Sequence, residues 1–191
     1  MARRETPEIN AGSMADIAFL LLIFFLVTTT MDTDMGISRK LPEKQDPNIV
    51  PPVLKEKNVF EVNVNRRNEI LVEGEIYMQI ENLREAAIAF IDNGGGKNED
   101  GTECTWCEGK KDPASSDHPK KAIISLQSDR GTSYGTYIAV QNELVAAYTD
   151  LRNKYSNNKF GRNFEDITLD QQAVIKKDIY PQIISEAEPT K

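Results

Sequence analysis

The sequence predicts a two-part protein: one membrane-spanning helix, then a proline-rich tether and a small two-layer α+β domain. Three observations carry this expectation. An unbroken apolar run from Ile17 to Val27 stands in a chain that is otherwise polar. Residues 41–57 hold Pro42, Pro47, Pro51 and Pro52, which block helix and central strand alike. Beyond them, period-two alternation at Val59-Phe60-Glu61-Val62-Asn63-Val64 gives way to helical spacing at Ile80, Leu83, Ala87, Phe90 and Ile91, a pattern of strands followed by helices. The 191 residues leave room for one ordinary domain and an appendage. With 23 Lys+Arg against 30 Asp+Glu, the net charge is -7. That excludes nucleic acid as a partner, because a phosphate backbone rewards a basic face.

A helix needs about 20 mostly apolar residues to cross the hydrocarbon core. Ile17–Val27 is too short alone, so the span is placed at 13–33, with a tail at 1–12. A cleaved secretory signal would share the basic Arg3 and Arg4 and the short apolar core. Against it, Asp16 directly precedes the run and no Ala-x-Ala-like site follows. Were this the core helix of a soluble protein, nothing would explain why it is apolar on every side. Arg3 and Arg4 before the span favour a cytoplasmic N-terminus, although Arg39 and Lys40 beyond it weaken the asymmetry. The large domain then lies outside the inner membrane, in the periplasm if there is one.

Asp16 is the informative residue. A carboxylate within a span costs roughly 2.5–3.5 kcal/mol on insertion scales, and an inert anchor gains nothing from it. One reading is a hydrated Asp at the membrane edge. The other is a protonatable group facing partner helices. Neutral, it slides past apolar neighbours; ionised, it demands a polar partner. That alternation is the minimal chemistry for coupling proton flow to helix movement.

The tether, 34–57, has an extended reach of roughly 50 Å over its Pro-rich part at about 3.1 Å per residue. It is either a spacer or a segment that docks as an added strand on a partner through apolar side chains such as Val50 and Val53. The outer domain, 58–191, reads as hairpin–helix–strand–helix. The hairpin joins Val59–Val64 to Ile70–Val72 through a polar turn at Arg66-Arg67-Asn68. The first helix stops at Asn93-Gly94-Gly95-Gly96. A third strand at Ala122–Leu126 leads to a helix carrying Tyr137, Val140, Leu144, Tyr148 and Leu151 on one face. Thr168 and Gln171 form a capping box for a short further helix, and Gln182–Ser185 is a candidate edge strand. Asp129 and Arg130 suggest a local salt bridge or cap. No Gly-rich phosphate loop and no nucleophile beside a base is present, so neither an enzyme nor a cofactor is expected.

Pro7-Glu8-Ile9-Asn10, then Asp16 entering a Leu/Ile/Phe-rich span, resembles the ExbD/TolR family and its I-N-x-x-P-x-x-D pattern. Leu41-Pro42 is similar to the family's "LP" after the membrane. Ser125-Leu126-Gln127-Ser128-Asp129-Arg130, followed by Tyr134, is similar to a strand-to-helix segment of its outer domain. Ser13 stands where the family often has Pro. The resemblance implies a non-enzymatic subunit energising TonB-dependent transport, with Asp16 proton-responsive. It also implies an ExbB/TolQ-like multi-span partner, a TonB-like protein downstream and a homodimer. Ser13, Phe19, Leu20 and Thr28 would then touch the partner ring, and Leu41, Pro42, Val50 and Val53 would carry tether docking. A TolR-like or motility-motor subunit, or an anchored periplasmic binding or structural protein with no proton role, stays open.

Residues 93–120 interrupt the domain as a polar insertion, and the C-terminus is extended. An oxidising compartment makes a Cys104–Cys107 disulfide the default, stapling an otherwise floppy loop tip. A zinc site on Cys104, Cys107 and His118 would need Asp112 or Asp117 as its fourth ligand, so no metal is expected. Trp106, the single Trp, is read as an exposed contact residue.

Overall fold

The structure is a computed structural model that describes residues 11–28, 55–74 and 76–187. Residues 1–50 and 51–191 form two compact units. In the first, helix α1 covers Ala11–Thr28. Its 18 residues rise about 27 Å, against a hydrocarbon core of about 30 Å. All of them are exposed, including the large apolar side chains from Ile17 to Val27. No polar stripe divides them, which is the mark of a helix meant for lipid or other apolar helices. The Thr28 hydroxyl donates to the Phe24 carbonyl at 2.7 Å, so this polar side chain is satisfied within its own helix. The segments expected as most of the tail, the end of the span (29–33) and the tether up to residue 54 lie outside the described residues.

The second unit is built on a five-stranded mixed sheet ordered β3-β2-β1-β4-β5. β1 (Val59–Val64) is central. It pairs antiparallel with β2 (Ile70–Val72) and parallel with β4 (Ile123–Ser128), Val59 opposite Ile123. Alternation decides the faces: Phe60, Val62 and Val64 are buried with Ile124 and Leu126, while Glu61 is exposed. The buried face is covered by α2 (Ile80–Ile91), through Leu83, Ala87, Phe90 and Ile91, and by α3 (Tyr134–Phe160), through Val140, Leu144, Tyr148 and Leu151. The domain is therefore α+β, a sheet layer under a helix layer. Ser133 caps α3 through the Thr136 N–H, and Gly161 ends it in the left-handed region at φ 68°.

The remaining expectations meet a mixed outcome. The capping box at Thr168 and Gln171 opens α4 (Leu169–Val174), which continues into a π-helical turn, Ile175–Ile179. β5 (Ile184–Glu186) adds an edge strand parallel to β4. The expected hairpin is present as β1 and β2, and a strand that was not expected, β3 (Ile76–Met78), returns antiparallel along β2. The disulfide staples the loop tip as expected, and more of the insertion than the tip is held: Cys104, Cys107, Ser116, Asp117 and His118 are buried. Asn93 explains this, since its side-chain amide donates to the Asp112 and Ser116 carbonyls and its Oδ1 accepts from the Asp112 N–H. Asp129 pairs with Arg66 of the hairpin turn at 3.0 Å rather than with its neighbour Arg130.

Candidate functional site

Asp16 is the one ionisable residue of α1. At 100° per residue, Ser13, Phe19 and Leu20 lie within about 60° of it around the helix axis, and Ile23 lies nearer still. These residues therefore form one lateral face with the carboxylate. Thr28 falls about 120° away and has its hydroxyl turned to its own backbone. The helix thus offers a single carboxylate set in an apolar wall, with small residues (Gly12 and Ser13) on the turn before it. An isolated helix of this kind leaves its carboxylate unsolvated in lipid unless a neighbouring helix supplies a polar group. Leu41, Pro42, Val50 and Val53 lie outside the described residues.

In the outer domain the insertion makes two seams. The first receives the residues that lead into β1. Lys55–Asn58, in part read from the sequence as tether, are held by the domain. Asn58 and Asp117 bond reciprocally: the Asp117 N–H donates to Asn58 Oδ1 at 2.8 Å, and Asn58 Nδ2 donates to Asp117 Oδ2 at 3.3 Å. Lys57 Nζ lies 2.5 Å from Asp117 Oδ1, and Lys55 Nζ lies 3.7 Å from Oδ2. Burial pushes the Asp117 carboxyl up, but the hydrogen bonds from Lys57 and Asn58 and both lysine charges outweigh it. The net displacement is downward.

The second seam faces α3 and the C-terminal extension. Asp92, just past α2, accepts from the Tyr180 hydroxyl at 2.7 Å and from the Glu108 N–H at 3.2 Å. Lys154 lies 3.9 Å away and is closer, at 2.7 Å, to Glu108. Here burial wins and the Asp92 carboxyl is raised. The Tyr180 hydroxyl is pushed up too, first by burial and then by its bond to Asp92. Arg152 donates twice to the Tyr180 carbonyl, at 3.1 and 2.8 Å. Trp106 is half-buried, not exposed, with its ring edge-on to His118 (5.5 Å) and Tyr155 (6.5 Å).

Cys104 and Cys107 form a disulfide with Cα atoms 5.5 Å apart. Both sulfurs are consumed in it, Asp117 is held by lysines, and His118 Nδ1 accepts from the Lys120 N–H at 3.1 Å. Among the described residues no group of three His, Cys, Asp or Glu is placed to hold a metal. Asn58, Asn93, Asp92, Arg152 and Tyr180 were not singled out as site residues from the sequence. Nothing local marks them, because their partners lie 16 to 88 positions away.

The span with its lone acid and the mixed sheet under two helices agree with one comparison. The model of the biopolymer transport protein family ExbD/TolR matches residues 2–152. The chain belongs to the ExbD/TolR family. No curated protein matches it. ExbD/TolR proteins are non-enzymatic, transport-associated membrane proteins that work with ExbB/TolQ-type partners. In this family α1 fits an inner-membrane anchor. The match ends within α3, so the last turns of that helix, α4 and β5 lie beyond it.

Proposed function

We propose that this ExbD/TolR chain is the proton-coupled subunit of an inner-membrane motor that energises TonB-dependent outer-membrane transport, with Asp16 as the proton-responsive residue. The observation that carries the reading is one ionisable side chain on an 18-residue helix that is otherwise apolar and fully exposed. In lipid such a carboxylate is tolerated only beside a polar partner or when protonated. A membrane potential supplies about 2.3 kcal/mol per charge per 100 mV, enough to bias a helix between two positions. The N-terminus is cytoplasmic and the sheet domain periplasmic. An ExbB/TolQ-like protein surrounds the face bearing Ser13, Asp16, Phe19 and Leu20. Two copies of the chain pair, and the tether passes force to a TonB-like protein.

The test is complementation of energy-dependent uptake by Asp16→Asn beside Asp16→Glu, with insertion measured for each. The Asn variant is expected to insert normally and lose at least tenfold in uptake, with the Glu variant retaining part of it. Full activity in the Asn variant would leave an anchored binding domain.

A further inference from the structure

The seam at Asp117 has a geometry that a mere surface ion pair lacks. Its carboxylate is 5% exposed and takes three side chains from one short segment: Lys55, Lys57 and Asn58. Lys57 makes a second grip on the insertion, donating to the Pro113 carbonyl at 3.1 Å. These contacts come immediately before Val59, the first residue of the central strand and of its parallel pairing with β4. In chain order, residues 55–58 are the last before the sheet begins.

The carboxylate is itself fixed from behind. The Gly96 N–H donates to the Asp117 carbonyl at 3.0 Å, and a Cβ on Gly96 would stand 2.2 Å from Asp117 Oδ1. Position 96 is therefore bare so that the carboxylate can seat. The neighbouring Gly95 N–H donates to the Ser116 carbonyl at 3.0 Å. Asn93, one residue past Asp92, binds both Asp112 and Ser116. Asp117 is thus tied through the insertion to the end of α2, and α2 packs on α3 and the sheet.

We infer that Asp117 is a positioning residue for force transfer: it clamps the end of the tether and passes tension into α2 and the insertion instead of into the first ladder bonds of β1. The inference rests on the reading of this chain as a force-transmitting subunit. Without the clamp, a pull on the tether falls on the Val59–Ile123 pair alone, and the strand peels from its beginning one residue at a time. With it, the reciprocal Asn58–Asp117 bonds and the lysine grips must break together before β1 is loaded. The insertion then has a mechanical task, to fix the point at which the moving part of the chain meets the rigid one.

The experiment uses the full chain in lipid nanodiscs and follows amide hydrogen exchange in Asp117→Asn and in the swapped pair Asn58→Asp/Asp117→Asn. Asp117→Asn is expected to speed exchange across residues 56–60 at least tenfold, while amides around Ala147–Leu151 in α3 keep their rates. In Asp117→Asn the amide oxygen can serve Asn58 only by turning its NH2 toward Lys57; in the swap that NH2 donates to the new carboxylate and the oxygen accepts from Lys57, so the swap is expected to recover at least half of the lost protection. In the uptake assay Asp117→Asn inserts normally but loses activity several-fold, and the swap regains it. If Asp117→Asn does not accumulate, Lys57→Gln is read in the same way with a smaller expected change.

Unchanged exchange at 56–60 overturns the clamp, as does a rise shared equally with α3. Loosened exchange with full uptake overturns it as well, and beside an inactive Asp16→Asn it leaves the motor reading standing. A fully active Asp16→Asn removes that reading and the force role together.

Discussion

The two seams of the insertion hold two aspartates that are each 4% exposed, yet their carboxyls are displaced in opposite directions. Asp117 meets two lysines and an amide, and its ionised form is favoured. Asp92 meets a tyrosine hydroxyl and one backbone N–H, with its lysine nearly 4 Å away and shared with Glu108, and its ionised form is disfavoured. Burial is the largest influence on both carboxyls: at Asp117 the lysines and Asn58 outweigh it, and at the more deeply buried Asp92 the hydrogen bonds from Tyr180 and the Glu108 N–H do not. The seam ahead of β1 centres on an ion pair buried on its acidic side; the seam with the C-terminal extension centres on a carboxyl and a tyrosine hydroxyl, with the charges of Lys154 and Glu108 at its rim.

The largest effect expected from breaking this contrast comes from Asp117→Ala. It strands Asn58, which is 5% exposed, while Lys57 and Lys55 keep contact with water. The full cost of breaking a buried pair is therefore discounted to about 2–3 kcal/mol, or a fall in melting temperature of roughly 4–10 °C. Tyr180→Phe comes next. It deletes the hydroxyl that satisfies Asp92 and leaves a buried acceptor short of a donor, at about 1–2 kcal/mol, read by denaturant unfolding of the full chain.

The smallest effect is the sharpest test of sign. Asp117 binds fewer protons folded than unfolded, so its contribution is complete above the unfolded value of about 3.9 and is lost as pH falls through the lowered native value. Asp92 binds more protons folded, so its contribution is complete below about 3.9 and is lost as pH rises through the raised native value. Acidification should then loosen amides at 56–60 while tightening those at 105–109. Asp92→Asn is expected to remove the second trend and change neutral-pH stability by less than about 1 kcal/mol. A parallel response at both seams would refute the contrast.

How much of this could be read from the sequence follows from the range of the interactions. The apolar run of α1, the alternation of β1 and the helical spacing of Leu83, Ala87, Phe90 and Ile91 are local patterns, and each announces its element. β3 was hidden because Ile76-Tyr77-Met78 is too short to alternate visibly. The turn before it places Glu73 and Gly74 at φ 51° and 76°, and a glutamate there is no turn signal. The disulfide at the loop tip was legible in the sequence, but the packing of the rest of the insertion was not, because Asn93, Asp112 and Asp117 have the composition of a solvated loop. They are satisfied instead by one another and by Asn58, at separations no periodicity reports. That Asp16 falls inside the apolar helix was legible because the run that defines the helix is local. The same holds for α3 in reverse: Gln141, Arg152 and Ser156 are polar yet buried, and their acceptors lie on Glu186, Tyr180 and Arg162.

The family match stops at residue 152, yet α3 runs unbroken to Phe160. The boundary of the shared domain therefore falls inside a helix and not in a loop. Adding or deleting one residue between Leu151 and Phe160 would turn everything downstream by about 100° and shift it by about 1.5 Å. Placed before Tyr155, such a change would carry Tyr155 off Trp106 and Tyr180 off Asp92. Loops forgive changes of length, but this junction does not. The extension cannot drift in register, because Ile175, Ile179 and Tyr180 are buried in the same core as α3.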